Sequence, residues 1–217
     1  MSKRFLDPDN GLMITLAQIG DCFYLSLFWI LGCFPIVTVG ASSAALYDAC
    51  YHSFRKGEKT SWQQFLKTYK ENWKTGIVPS LIYLILFFGM GKGMIGIWNR
   101  VAVGEGSWAV FAGCGVAAVL VLGMLSILFP MLSRFDNSTG ALLKNTVLLA
   151  MAHLPRTVGL GMITAGSMVL CVRLIFPVVF MPALTALIGS LYIEPMFKPY
   201  LPEETEETEE NEEMPLE

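Results

Sequence analysis

Charge is what this sequence has least of. Only 15% of its residues are charged, where a soluble domain carries about a quarter. Histidine is nearly absent, with His52 and His153 alone, and neither sits in a metal-ligand spacing. His52 and Asp48 could share a helix face, but two ligands do not make a metal site. The five cysteines (Cys22, Cys33, Cys50, Cys114, Cys171) form no CxxC pair. Four of them fall in apolar runs, where a free thiol packs as a small hydrophobe, so no disulfide framework is expected. There is no Ser-His-Asp arrangement, no carboxylate pair and no zinc-protease motif. Gly89-Met90-Gly91-Lys92-Gly93 is not a phosphate loop, because no GKS or GKT follows and no strand precedes. These absences point away from an enzyme and from any bound cofactor or metal.

Hydrophobic residues, in contrast, make up 54% of the chain, and the mean hydropathy is +0.55. They are gathered into long runs, and a bilayer-spanning helix needs roughly 20 such residues. The expected fold is therefore all-α: a polytopic transmembrane bundle of about five spans with cytoplasmic interfacial helices. The spans are expected near residues 12–36, 76–98, 108–132, 157–173 and 177–197, within a membrane domain of residues 1–202. The first run carries Asp7 and Asp9 ahead of it and is too long for a signal-peptide core, so it is read as a span. Residues 203–217 hold nine Glu and no Lys or Arg, a composition expected to stay disordered. Without that tail the chain has 15 basic and 9 acidic residues, a net of +6. The basic residues lie between spans, which gives no case for nucleic-acid binding.

Lys and Arg placement sets the expected orientation. Arg55, Lys56, Lys59, Lys67, Lys70, Lys74, Arg134, Lys144, Arg156 and Lys198 fall on one side. Lys3, Arg4, Lys92, Arg100 and Arg173 fall on the other. The richer side is cytoplasmic by this rule, with the N-terminus outside and the C-terminus inside. A six-crossing or re-entrant arrangement after Arg173 is the alternative.

Between the first two spans, Trp62, Phe65, Leu66, Tyr69 and Trp73 recur at helical spacing, flanked by Lys67, Lys70 and Lys74. Two placements fit this pattern. The helix could lie in the membrane interface with its lysines toward anionic headgroups, or it could pack on the protein's own surface. Gly89 and Gly93 form a GxxxG, a spacing that lets helices approach closely. A weak echo links Phe34-Pro35, a linker and Lys74-Thr75 with Phe129-Pro130, a linker and Arg156-Thr157. Tandem membrane units of this kind can form pseudo-symmetric bundles, and chance similarity is the competing explanation.

Three motifs resemble the signature of YesL-like bacterial membrane proteins. They are Phe34-Pro35-Ile36-Val37-Thr38-Val39-Gly40-Ala41 with Ala44-Ala45-Leu46-Tyr47, then Lys70-Glu71-Asn72-Trp73-Lys74, then Arg134-Phe135-Asp136-Asn137-Ser138 with Leu143-Lys144-Asn145. Where the family pattern often has Asn in the first span, this chain has Ser26. The resemblance implies a small inner-membrane protein of about five spans with no established activity. It also implies an association with sugar uptake, and so with permease subunits of sugar transporters as partners, besides the lipid bilayer and other copies of the chain.

Candidate polar residues fall in two sets. Asp21 lies roughly 14 Å below Leu12 along the first span, and Arg173 ends the fourth, so an Asp21–Arg173 pair is expected. It would either lock helices or line a solute pocket. Thr38, Asn72, Arg134, Asp136 and Asn145 lie at the cytoplasmic span ends. Arg134 there could satisfy helix-end carbonyls and Asp136 could cap the next helix. The set could also form a contact surface for a partner's loop. Three functions follow as expectations: a non-enzymatic accessory of carbohydrate uptake, a small solute carrier or channel, or a structural membrane protein.

Overall fold

The computed structural model describes residues 11–55, 61–135, 138–174 and 176–200, with side chains from Ile19 onward. Asp136 and the acidic tail lie outside the described residues. The chain is all-α, with no strand among the described residues. Its helices are α1 (Gly11–Cys33), α2 (Val39–Arg55), α3 (Ser61–Asn72), α4 (Ile77–Ala102), α5 (Trp108–Arg134), α6 (Thr139–Ala152), α7 (Leu154–Arg173) and α8 (Met181–Phe197).

Three of these, α4, α5 and α7, are long and apolar enough to cross a membrane. The apolar part of α1 with described side chains, Ile19–Cys33, and the whole of α8 are shorter. Of the five expected crossings, length and apolarity therefore identify three.

The turns follow from proline and hydroxyl chemistry. Pro35 has no N–H to continue α1. Thr38 then ties the turn by donating its hydroxyl to the Gly32 carbonyl at 2.7 Å and the Pro35 carbonyl at 3.1 Å. Pro79, Pro155 and Pro182 each sit in the first turn of a helix, where the missing N–H costs nothing. Gly104 carries the turn from α4 to α5 at φ +80°, a region open to glycine without a Cβ clash.

The most buried helix is one that composition placed in a polar linker. Ten residues of α2, Gly40–Ser42 and Ala44–Cys50, are buried. It packs against α1, α3, α4, α5 and α8. Its small residues are the reason: Ala44, Ala45 and Ala49 let neighbouring helices close in until each is fully covered. Helix α2 runs antiparallel to α1, as two contacts show. Near the turn, Ser42 donates to the Trp29 carbonyl at 3.0 Å. Further along, Ser53 donates to Asp21 at 2.8 Å. Gly40 is obligatory, since its N–H donates to Ser80 Oγ at 2.7 Å and a Cβ there would stand 2.6 Å from the same oxygen.

Helix α3 packs on the protein's own helices. Phe65 is buried against Phe28, with ring centroids 5.8 Å apart, and stacks on Tyr69. Trp62 and Trp73 remain exposed, as do Lys67, Lys70 and Lys74. The aromatic stripe is thus split, its centre spent on α1 and α2 and its two tryptophans left on the flank.

The GxxxG of α4 makes no close approach: a Cβ on Gly89 or Gly93 would meet nothing within 4 Å. The tight crossing lies elsewhere. Gly123 of α5 abuts the Thr157 carbonyl, and Gly161 of α7 abuts that of Val119. The two segments of the echo also differ in build. Helix α1 ends before Phe34-Pro35, whereas Pro130 lies inside α5. Two helices fill the first linker and one fills the second.

Candidate functional site

Arg134, from the last turn of α5, is the sequence candidate around which the structure gathers most. Its Nη2 donates to Glu194 Oε1 of α8 at 3.1 Å, and both side chains are largely buried, at 14% and 13% exposure. The same carboxylate oxygen accepts the Tyr47 hydroxyl of α2 at 2.8 Å. The Arg134 guanidinium lies over the Tyr51 ring, 3.9 Å from its centroid, within range of a cation–π attraction. Three helices therefore meet at one charge pair. Burial, and then the adjacent Glu194 charge, push the Tyr47 phenol well above its ordinary range, so it stays a proton donor. Arg134 Nε is buried with no acceptor among the described residues.

A second node joins α2 to α3. Asp48 Oδ2 accepts from Gln64 Nε2 and from Thr68 Oγ1, both at 2.6 Å. His52 donates Nδ1–H to the Asp48 carbonyl at 3.0 Å, and its ring lies 3.4 Å from Asp48 Oδ1. The shared face of Asp48 and His52 is real, and it serves the helix junction. Among the described residues no three His, Cys, Asp or Glu side chains cluster as metal ligands.

The Asp21–Arg173 pair is not formed among the described residues. Asp21 accepts from Ser53 instead, and Arg173 is exposed at the end of α7. Thr38 closes its own turn. Asn72 donates to the Thr68 carbonyl within α3 at 3.1 Å. Asn145 stands exposed on α6. No hydrogen bond links any two of Thr38, Asn72, Arg134 and Asn145 among the described residues, so they do not form one surface set. Ser26, at the position where an amide was expected, is fully buried and accepts the Ala183 N–H at 3.3 Å. That N–H is in the first turn of α8 and has no partner within its own helix.

Tyr51 and Glu194 were not singled out from the sequence, and Tyr47 entered only as the last residue of a family motif. Glu194 was the available signal: a lone carboxylate inside an apolar run is costly without a partner.

Beside the charge node lies a cavity of ≈ 330 Å³ between α2, α5, α7 and α8. Tyr47 and Ile193 bring its wall up to the node, and no charged side chain lines it. Its hydroxyls are largely committed. Ser126 and Thr164 lie 2.8 Å apart, one hydroxyl donating to the other, and the accepting one keeps its proton for a carbonyl of its own helix, at 2.9 Å.

Residues 22–90 match a family described as a protein of unknown function, DUF624. The match covers the second half of α1, all of α2 and α3, and the first half of α4, which is the segment that builds the Asp48 node. No curated protein and no solved structure matches the chain.

Proposed function

We propose that this chain is a non-enzymatic integral membrane protein that serves as an accessory or regulatory component of a carbohydrate-uptake system. The observation that carries the non-enzymatic, non-carrier part is how the buried charges are used. Arg134, Glu194, Asp48 and Asp21 all hold one helix to another. None of them faces the cavity, whose wall is mostly apolar. A sugar carrier needs hydrogen-bonding groups along its path, because a polar solute must exchange its water shell for protein partners. The link to carbohydrate rests on the resemblance to YesL-like proteins.

Helix α4 supports an accessory role. Beyond its first turns its main helical neighbour is α5, and Leu81, Ile85, Phe88 and Ile95 stay exposed. Such a surface suits lipid or a partner's helices. In this reading α8 supplies a further crossing and the C-terminus is cytoplasmic in a bacterial inner membrane.

The test is quantitative mass spectrometry of what co-purifies with the tagged chain from native membranes in mild detergent. Stoichiometric permease subunits are expected. Recovery of the chain alone, together with sugar uptake when it is reconstituted in empty liposomes, would replace this reading by the solute-carrier one. The cavity is the feature that favours that second reading.

A further inference from the structure

Helix α4 carries a lysine inside its apolar length. Lys92 lies about 22 Å along the axis from Ile77 and about 9 Å short of Trp98. Trp98 packs on Trp108 and Phe111, with ring centroids 6.1 and 5.5 Å away. Aromatic clusters of this kind mark the membrane–water interface. In a helix the Cα–Cβ bond tilts toward the N-terminus, so Lys92 leans away from that interface and deeper into the bilayer. An ammonium group at such a depth is costly without an opposite charge. The neighbouring helix supplies none, since α4 and α5 contain no Asp or Glu. The ion pairs among the described residues are His52–Asp48 and Arg134–Glu194.

The face beside Lys92 is open. Gly89, Gly93 and Gly96 recur at helical spacing and share one stripe, where an added Cβ meets nothing within 4 Å. Ile85 extends the stripe toward the start of α4 and Arg100 toward its end, both exposed. Another helix can therefore lie against the α4 backbone, with Lys92 at the edge of the contact. A second copy of the chain, which shares its orientation in the membrane, does not suit this face. It would set Lys92 and Arg100 against their own equivalents. Charge complementarity requires the opposite sign.

We propose that this face of α4 docks a transmembrane helix of another protein that carries an Asp or Glu at the depth of Lys92. The lysine selects the acid, and the glycine stripe admits the helix that brings it. The proposal rests on the accessory reading and names the chemistry of the partner.

The probe is an alanine-leucine transmembrane peptide with one Asp placed at the depth of Lys92, compared with its Asn and Leu analogues. The full chain carries a donor dye on Val103→Cys, in a background without other cysteines, and the peptide carries the acceptor. Both are reconstituted in phosphatidylcholine vesicles. Saturable energy transfer to the Asp peptide is expected, with both analogues about tenfold weaker, the worth of one charge-assisted hydrogen bond. Lys92→Leu should bring the Asp peptide down to its Leu analogue, and Lys92→Asp should restore binding to a Lys-bearing peptide. Gly93→Leu, which leaves the fold intact, should abolish the plateau.

Equal affinity for the Asp and Leu peptides overturns the proposal, as does transfer that never saturates. Loss of the plateau in phosphatidylglycerol vesicles at the same peptide-to-lipid ratio assigns Lys92 to lipid phosphate and also overturns it. Saturable transfer between donor- and acceptor-labelled copies of the chain, lost in Gly93→Leu, makes the face a self-association surface instead. The vesicles hold no permease, so failure here leaves the accessory reading standing. Failure of permease subunits to co-purify leaves a positive peptide result standing.

Discussion

Replacing Glu194 by Ala should destabilise the bundle more than any exposed substitution on α8. The carboxylate accepts from Tyr47 at 2.8 Å and from Arg134 at 3.1 Å. Without it the guanidinium stays buried, with the Tyr51 ring as its remaining neighbour of opposite polarity. Breaking a buried pair from one side costs about 3–5 kcal/mol, because one charge is left uncompensated. The orphaned Tyr47 hydroxyl contributes within that figure, since the two losses share one oxygen and do not add. A total stability of about 5–15 kcal/mol makes this a large fraction.

Removing both charges should cost far less. Arg134→Met with Glu194→Leu keeps the volume and removes the desolvation penalty, so its cost should stay below about 2 kcal/mol. The assay is reversible unfolding in mixed micelles, run as a double-mutant cycle. A coupling energy of at least about 2 kcal/mol between the two sites is expected. If the double variant loses the sum of the two single losses, the pair does not hold α5 to α8 and the reasoning fails.

Three further outcomes follow from other contacts. Gly123→Leu should unfold or rearrange the α5–α7 crossing at a cost above about 4 kcal/mol, whereas Gly93→Leu, in open space, should change stability by less than about 0.5 kcal/mol; thermal melts in detergent compare them. Asp48→Ala orphans the donors of Gln64 and Thr68, at about 2–3 kcal/mol. Faster amide exchange should then be confined to α3 and its contacts. Single cysteines at Gly104 and Ser138, in a background without other cysteines, test the orientation. An impermeant maleimide should label Gly104→Cys from outside and Ser138→Cys only after lysis, and the reverse pattern would invert the topology.

Much of the helical layout was legible in the chain itself. The apolar runs place α4, α5 and α7 within a few residues of their ends, because a long run without charge has few alternatives to a helix in lipid. Pro35 marks the break after α1. The burial of α2 was not legible. Its Ala, Gly and Ser residues lower its hydropathy, and hydropathy records transfer to lipid, not closeness of packing. The GxxxG at Gly89 is a weak signal for a related reason: the motif permits close approach but does not supply a neighbour.

The candidate site divides in the same way. Arg134 was visible because it stands at the end of a span in a recurring motif. Glu194 and Tyr47 are 147 positions apart, and no local pattern announces such a pair. Asp21 was expected to meet Arg173 because both were assigned to one half of the membrane. The return of α2 alongside α1 offered Ser53 first.

The sequence by itself determined the solvent of this protein, the helical character of its chain and the absence of a recognisable catalytic motif. Those follow from composition and run length, which do not depend on where the helices go. Only the tertiary structure decided which helix lies at the centre, which acid meets which base, and that a cavity opens between α2, α5, α7 and α8. Each of those depends on side chains from distant segments arriving at the same place, and such convergence is set by packing.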